Sequence, residues 1–208
     1  MVIQVYSDGS AQTKDKPGGW GSVIIIDGVL HKELAGYLDL ATNNDAELIA
    51  AISGLDYVLS YLASLQGSFP LEHEVTLVSD SEIVLNWANG TYRFKQVEKV
   101  ALYDHLRRLV KKMSVKTRWV KGHDGDVWNE RCDKLANNAR KGIAIEGLDN
   151  SVPKVDTKIG SKKTGVVSLW YGGQLKIIDF ENDIIENYNR EAHGKRGSVI
   201  EIREDKIR

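Results

Sequence analysis

One dipeptide limits the fold more than any other short feature. Asp27-Gly28 stands between two apolar runs, Trp20–Ile26 and Val29–Leu38. An Asp-Gly flanked by such runs sets a two-residue hairpin with both central residues at positive φ. The two runs are therefore predicted to be neighbouring antiparallel strands. Val2–Ser7 is a third run of the same kind, closed by Asp8-Gly9-Ser10, which reads as a turn. Three such strands in sequence make a meander.

Beyond residue 40 the period lengthens. Thr42-Asn43-Asn44-Asp45 supplies capping residues. Leu48, Ile52, Leu55, Leu59 and Leu62 then recur at steps of three and four, which predicts a long helix with one buried stripe. Gly67 and Pro70 close it. Glu74–Ser79 is a fourth strand, and Ser81–Ala88 a short helix stopped by Asn89-Gly90. Val97–Met113 is another helix, with Leu102, Leu106, Leu109 and Met113 on one face and Arg107, Arg108, Lys111 and Lys112 on the other. Val115–Val120 is a fifth strand, Gly122–Asp126 a loop, and Val127–Lys141 a last helix whose apolar face is Cys132, Leu135, Ala136 and Ala139. The order βββ-α-β-α-α-β-α predicts an α/β fold, a mixed five-stranded sheet flanked by helices.

After Gly142 the periodicity fades. Residues 143–165 read as a linker. Gly165–Tyr171 and Gln174–Phe180 flank Gly172-Gly173, a second hairpin signal. Asp183–Arg190 reads as a short helix and Ser198–Arg203 as a short strand. The expected organisation is a main domain over 1–142, a linker over 143–165 and a small α+β or β-hairpin extension over 166–208. A unit of about 45 residues rarely supports its own core. It is expected to pack on the main domain, on a second copy, or on a partner.

Composition excludes several classes. With 42% hydrophobic and 27% charged residues, the chain suits a soluble globular protein. Three prolines and no low-complexity tract argue against wholesale disorder. No apolar run reads as long enough to cross a bilayer, and Met-Val-Ile-Gln is not the start of a secretory signal, so no membrane partner is expected. Cys132 is the only cysteine, which excludes an intrachain disulfide framework and a cysteine zinc site. A reducing, cytoplasmic setting is the expectation.

The net charge of −1 hides a strong polarity. Residues 1–92 hold 3 basic and 12 acidic side chains, whereas residues 93–121 hold 10 basic and 2 acidic. An acidic cluster beside a basic stripe suggests cation binding next to polyanion binding. Solvated helix faces would give the same counts.

Four carboxylates stand where that acidic cluster would form. Asp8 ends the first strand, Glu47 lies in the first turn of the long helix, Asp80 ends the fourth strand, and Asp133 lies inside the last helix. Singly, each has a plain structural use: a turn, a helix-dipole contact, a helix surface. In a mixed sheet, however, the first and fourth strands can lie side by side beneath the two helices, which would gather all four. Clustered carboxylates repel and raise one another's pKa, and they persist where divalent cations neutralise them. Hard oxygen ligands suit Mg²⁺, with Mn²⁺ as a substitute, rather than zinc. Two such ions about 3.5–4 Å apart clamp an in-line displacement at phosphorus. His123, in Lys-Gly-His-Asp-Gly, is placed to shuttle protons or aid product release. Asn129 and Asp133 are four apart and share a helix face, so Asn129 is placed to orient a ligand or water.

These pieces resemble the type 1 ribonuclease H family. The matching segments are Ser7-Asp8-Gly9-Ser10, Gly18-Gly19-Trp20-Gly21, Thr42-Asn43-Asn44-Asp45-Ala46-Glu47-Leu48, Ser79-Asp80-Ser81, Trp119-Val120-Lys121-Gly122-His123 and Asn129-Glu130-Arg131-Cys132-Asp133-Lys134-Leu135-Ala136. They occur in family order across residues 1–142. The resemblance implies a ribonuclease H-like fold and an endoribonuclease that cuts the RNA strand of RNA–DNA hybrids, leaving 5′-phosphate and 3′-hydroxyl ends. It implies Asp8, Glu47, Asp80 and Asp133 as ligands of two Mg²⁺ ions, and His123 as the loop histidine. It further implies substrate contacts at Gly9, Ser10, Thr42, Asn43, Ser81 and Asn129. A hybrid's wide minor groove displays 2′-hydroxyls that asparagine and backbone groups can test without reading sequence. Trp87, Tyr92 and Lys95 are candidates for touching the DNA strand. The segment 86–95 is shorter than the basic protrusion of many bacterial members, Glu82 stands where glutamine is common, and the 11–16 loop carries Lys14 and Lys16 in place of the usual asparagine. The alternatives are a same-fold nuclease preferring double-stranded RNA and a non-catalytic hybrid-binding module. The extension is expected to mediate self-association or extra nucleic-acid contact.

Overall fold

Asp27 and Gly28 both adopt positive φ, 49° and 82°, and the hairpin forms as its dipeptide requires. In this computed structural model the described residues are 1–12, 16–65, 72–92 and 100–143, with 166–171, 174–179 and 184–189. The hairpin joins β2 (Gly18–Ile26) to β3 (Val29–Leu38), with Ile26 opposite Val29.

β1 (Val2–Ala11) runs further than expected. Asp8, Gly9, Ser10 and Ala11 stay paired with Gly21, Trp20, Gly19 and Gly18 of β2. Asp8-Gly9-Ser10 is therefore extended strand and not a turn, because the early start of β2 gives each of these residues a cross-strand partner. β4 (Glu74–Ser79) and β5 (Lys116–Trp119) complete a five-stranded sheet of order β3-β2-β1-β4-β5. β1 is antiparallel to β2 but parallel to β4, and β4 is parallel to β5. The sheet is mixed, as expected, and its first and fourth strands are neighbours.

Alternation along the strands builds a core on each face. Ile3 and Val5 face one way, against α1 (Asn43–Ser64), α2 (Glu82–Asn89) and α3 (Val100–Met113). Leu48, Ile52, Leu55, Leu102, Leu106 and Leu109 are buried there, each contributing about 1.5–3 kcal/mol of apolar transfer. Tyr6 faces the other way, where Val23, Ile25, Cys132 and Leu135 pack under α4 (Val127–Arg140). Burial pushes the Cys132 thiol well up, so it packs as an apolar group. α4 comes close because β2 offers glycines beneath it. A Cβ at Gly19 would stand 2.2 Å from the Ala136 carbonyl oxygen, and one at Gly21 would stand 2.6 Å from that of Cys132.

Two expectations about helices change. α1 is long and apolar enough, by length and composition, to cross a membrane, contrary to the sequence reading. Most of it is buried on the sheet, so its apolar surface belongs to the core. Second, the basic face of α3 is partly structural: Arg107 donates to the carbonyl of Ala88 and so holds the end of α2. Lys111 and Lys112 remain exposed. Residues 97–99 lie outside the described residues.

A separate antiparallel sheet is formed by β6 (Val166–Tyr171), β7 (Gln174–Asp179) and β8 (Ile184–Asn189). Tyr171 faces Gln174, as the hairpin reading expects. The predicted helix over Asp183–Arg190 is corrected: Ile184–Asn189 is a strand paired along β7. Ile, Asn and Tyr are poor helix formers, and the free edge of β7 offers them a ladder. The linker from 144 and the strand expected at Ser198–Arg203 lie outside the described residues.

Candidate active site

Strand adjacency brings the first two carboxylates together. Asp8 on β1 and Asp80 just past β4 lie toward the same end of two neighbouring parallel strands. Glu47 arrives from α1, and Gly9 makes this possible. A Cβ at Gly9 would stand 2.3 Å from the Glu47 amide nitrogen and 2.6 Å from the Ala46 carbonyl carbon. Only a residue without a side chain lets the first turn of α1 rest on β1. That turn is itself fixed by a capping box, in which Thr42 Oγ1 and Asp45 exchange bonds across the N-terminus.

Carboxylate oxygens of Asp8, Glu47 and Asp80 lie within 4.8 Å of one another. Asp8 and Glu47 are buried. Burial, then the charges of Asp80 and Asp133, push the Asp8 carboxyl up to about 7. Burial, then Asp8 and Asp80, push Glu47 higher still. The cause is direct: buried like charges at this spacing cannot all ionise unless a cation joins them. The donors fit such a cation. All are hard carboxylate oxygens, and Glu47 Oε2 is buried with no hydrogen-bond partner. That set suits Mg²⁺ or Mn²⁺ and lacks the nitrogen or sulfur that zinc favours.

Asp133 stands outside this trio. Its Oδ1 accepts from Asn137 Nδ2 at 2.7 Å, yet its charge reaches Asp8. Asn129 sits one turn before it, 2% exposed. Its Nδ2 donates to Asp80 Oδ2 at 3.2 Å, and its Oδ1 has no partner. Asn43 bridges two elements, donating to Glu47 Oε1 at 3.3 Å and accepting from the Ala11 amide at 3.2 Å.

The other expected residues divide. Gly9 donates its amide to Asp8 Oδ1 at 2.7 Å. Ser81 caps α2 without a side-chain bond, and its amide donates to Ser79 Oγ. Thr42 is engaged in its capping box. His123 is exposed at φ 53°, a conformation held by the loop and not by its own preference. The loop passes close to the trio, since a Cβ at Gly122 would stand 2.6 Å from Asp80 Oδ2. Trp87 packs against the main core, Tyr92 is exposed, and Lys95 lies outside the described residues.

Three residues at the site escaped the sequence reading. Trp119 is exposed on β5, and its Nε1 donates to the Asp80 carbonyl at 3.0 Å, fixing the chain at that carboxylate. Asn137 and Arg140 line α4 beside Asp133 and Ser10. Asn137 carried a signal, being four residues after Asp133 on the same helix face.

Comparison with known proteins agrees with this geometry. A family model described as RNase H matches residues 1–141. A ribonuclease H of Syntrophomonas wolfei is 36% identical over 153 residues, covering 68% of this chain and 97% of that protein. The ribonuclease H of Aeromonas salmonicida is 34% identical over 143 residues, covering 67% and 90%. Among solved structures, RNase H1 of Halobacterium salinarum superposes with a TM-score of 0.56 at 24% identity, over 68% of this chain and 99% of that one. LC11-RNase H1, solved in complex with an RNA/DNA hybrid, gives 0.57 at 24%, over 67% and 97%. At such identity these two structures speak for the fold.

Proposed function

Because the chain belongs to the ribonuclease H family, we propose that it is an endoribonuclease that cuts the RNA strand of RNA–DNA hybrids at two divalent cations, leaving 5′-phosphate and 3′-hydroxyl ends. One observation carries the reading: Asp8, Glu47 and Asp80, brought from β1, α1 and the end of β4, converge within 4.8 Å. Burial, and then their mutual repulsion, raises Asp8 and Glu47, and a bare cluster of this kind has no structural use. Asp8, Glu47, Asp80 and Asp133 would hold the ions. When bound, Mg²⁺ or Mn²⁺ supplies an activated water and neutralises charge gathering at phosphorus.

The remaining residues prepare the ground for that chemistry. Asn129 fixes the rotamer of Asp80 through its Oδ2. Asn43 ties Glu47 to the backbone of Ala11, at the rim where a minor groove would lie. Gly9, Ser10 and Ser81 line the same rim. His123, exposed on its loop, can give a proton to a leaving oxygen and exchange it with solvent. Tyr92 suits a DNA-strand contact better than Trp87, which is packed in the core. The exposed Lys111 and Lys112 suit phosphates farther along the duplex. A cytoplasmic setting belongs to the same reading. So does the division into a catalytic unit over 1–142, a linker over 143–165, and an extension over 166–208 that adds self-association or nucleic-acid contact.

The test compares matched labelled duplexes with Mg²⁺. RNA in an RNA–DNA hybrid is expected to be cut, duplex DNA to be spared, and Asp8→Asn to be inactive. Faster cutting of double-stranded RNA would move the substrate to that class. Metal-dependent binding without cleavage would leave only a hybrid-binding module. A chain truncated after Gly142 is expected to keep the chemistry; loss of folding would make the extension part of the core.

A further inference from the structure

Arg140 is a cation without an acid. It occupies the last turn of α4, and among the described residues no carboxylate pairs with it. Its Nε donates to Ser10 Oγ at 2.9 Å, and its Nη2 donates to Asn137 Oδ1 at 3.3 Å. A guanidinium carries five N–H groups. Two are used, so three have no protein acceptor among the described residues.

The neutral acceptors that hold it lead to the carboxylate centre. Ser10 lies two residues beyond Asp8 on β1, on the same side of the sheet and about 7 Å farther along the strand. Ser10 Oγ also donates to Asn137 Oδ1 at 2.9 Å. The amide end of Asn137 then donates to Asp133, to Oδ1 at 2.7 Å and to the carbonyl at 3.0 Å. Both ends of Asn137 are satisfied, so its orientation is fixed. An arginine that served to neutralise the carboxylates would pair with one. This one is held off them by a hydroxyl and an amide, with much of its fork left for an anion from outside. A planar guanidinium fits a phosphate oxygen pair, and an acidic centre needs a cation at its rim if a polyanion is to approach.

We propose that Arg140 takes a backbone phosphate of the strand lying across the carboxylates, next to the bond that is cut, and that Asn137 and Ser10 couple this contact to the position of Asp133. Arg140 is then a substrate-binding residue and Asn137 a positioning residue. The proposal rests on the endoribonuclease reading for its substrate.

The experiment uses the full chain and an RNA–DNA hybrid. Kd is measured against salt in the Asp8→Asn background, so that binding is read without cleavage; kcat and KM are measured with an intact centre. Losing one phosphate contact lowers the slope of log Kd against log salt by about 0.7–0.9. Arg140→Ala is expected to show that drop, with Kd and KM raised roughly five- to twentyfold, equivalent to about 1–2 kcal/mol. Arg140→Lys recovers part of the affinity, because the charge survives and the fork does not. Asn137→Ala is expected to keep the salt slope while lowering kcat and raising the Mg²⁺ concentration for half-maximal rate. Lys32→Ala, a cation changed on β3, controls for net charge and follows wild type. If Arg140→Ala lowers the melting temperature by more than a few degrees, Arg140→Gln carries the same comparison with a side chain that can still donate to Ser10. A wild-type Kd and salt slope in the folded Arg140 variant overturns the phosphate contact. An unchanged Mg²⁺ dependence in Asn137→Ala overturns the coupling. Hybrid binding without cleavage by the wild type would sink the endoribonuclease reading alone, and the salt slope would still decide on Arg140.

Discussion

Asp8→Asn is expected to do two opposite things: abolish catalysis and stabilise the metal-free fold. The second effect follows from the electrostatics of the cluster. The Asp8 carboxyl is raised to about 7 from an ordinary 3.8, first by burial and then by Asp80 and Asp133. The folded state therefore holds a proton that the unfolded state has released. Stability from this group is present below the unfolded value near 4 and is lost as pH rises through the folded value near 7. Each tenfold in proton affinity is about 1.4 kcal/mol, so full ionisation costs roughly 4 kcal/mol at most. Glu47 is raised as well, by burial first and then by the charge of Asp8, so removing one charge relieves both partners and the net effect is on the order of 2 kcal/mol. Asparagine keeps the shape and still accepts from the Gly9 amide. For a domain of this size 2 kcal/mol is about 6–10 °C in Tm. The assay is thermal unfolding by circular dichroism in chelator at pH 5 and pH 8. Wild type should lose stability between the two, Asp8→Asn should lose less and melt higher at pH 8, and Mg²⁺ should raise wild type more than the variant. A variant that melts at or below wild type at pH 8 without metal would show that the Asp8 charge does not destabilise the metal-free fold.

Gly9→Ala places a Cβ 2.3 Å from the Glu47 amide and is expected to cost about 2–3 kcal/mol; melting curves and Mg²⁺ titration should both shift, because the clash parts Glu47 from Asp8. Arg131 holds Glu33 through Nε and Nη2 at 2.6 and 2.7 Å, tying α4 to β3; a double-mutant cycle in urea should give about 1–2 kcal/mol of coupling, and zero would make the pair ornamental. His105 Nε2 and Asp56 Oδ2 meet at 2.8 Å between α3 and α1, both buried. His105 Nδ1 already lacks a partner, so Asp56→Ala strips the ring of its one bond among the described residues and should cost about 2–4 kcal/mol in urea unfolding.

Much of the main domain was legible because its signals are local. The Asp27-Gly28 turn rests on the positive φ its dipeptide accepts, and the leucine stripe of α1 and the Leu102–Met113 face rest on a period that burial enforces. Where local signals competed with tertiary pairing, they failed. Asp8-Gly9-Ser10 has turn residues, but β2 begins at Gly18 and holds them extended. Ile184–Asn189 was short enough to read either way, and the edge of β7 decided it. The carboxylate trio was legible through topology, since the order of elements allows β1 and β4 to lie side by side, as they do. Asp133 was grouped with it, yet its side chain is bonded to Asn137, a detail of rotamer and partner that spacing does not carry. The supposed phosphate stripe proved mixed in use: Arg107 serves the α2 terminus, while Arg140, held by Ser10 and Asn137, lies outside that stripe. No charge count over windows of sequence finds one arginine whose neighbours are a hydroxyl and an amide.

Asp8, Glu47 and Asp80 are proposed to form a metal-dependent centre that cuts RNA paired to DNA. The most direct test is cleavage of a 5′-labelled RNA in an RNA–DNA hybrid by wild type and Asp8→Asn, with Mg²⁺ and with chelator, resolving product ends. Wild type is expected to cut with Mg²⁺, leaving 5′-phosphate and 3′-hydroxyl ends, and no cutting is expected by the variant or in chelator. An intact hybrid with wild type and Mg²⁺, or equal cutting by Asp8→Asn, would contradict the proposal.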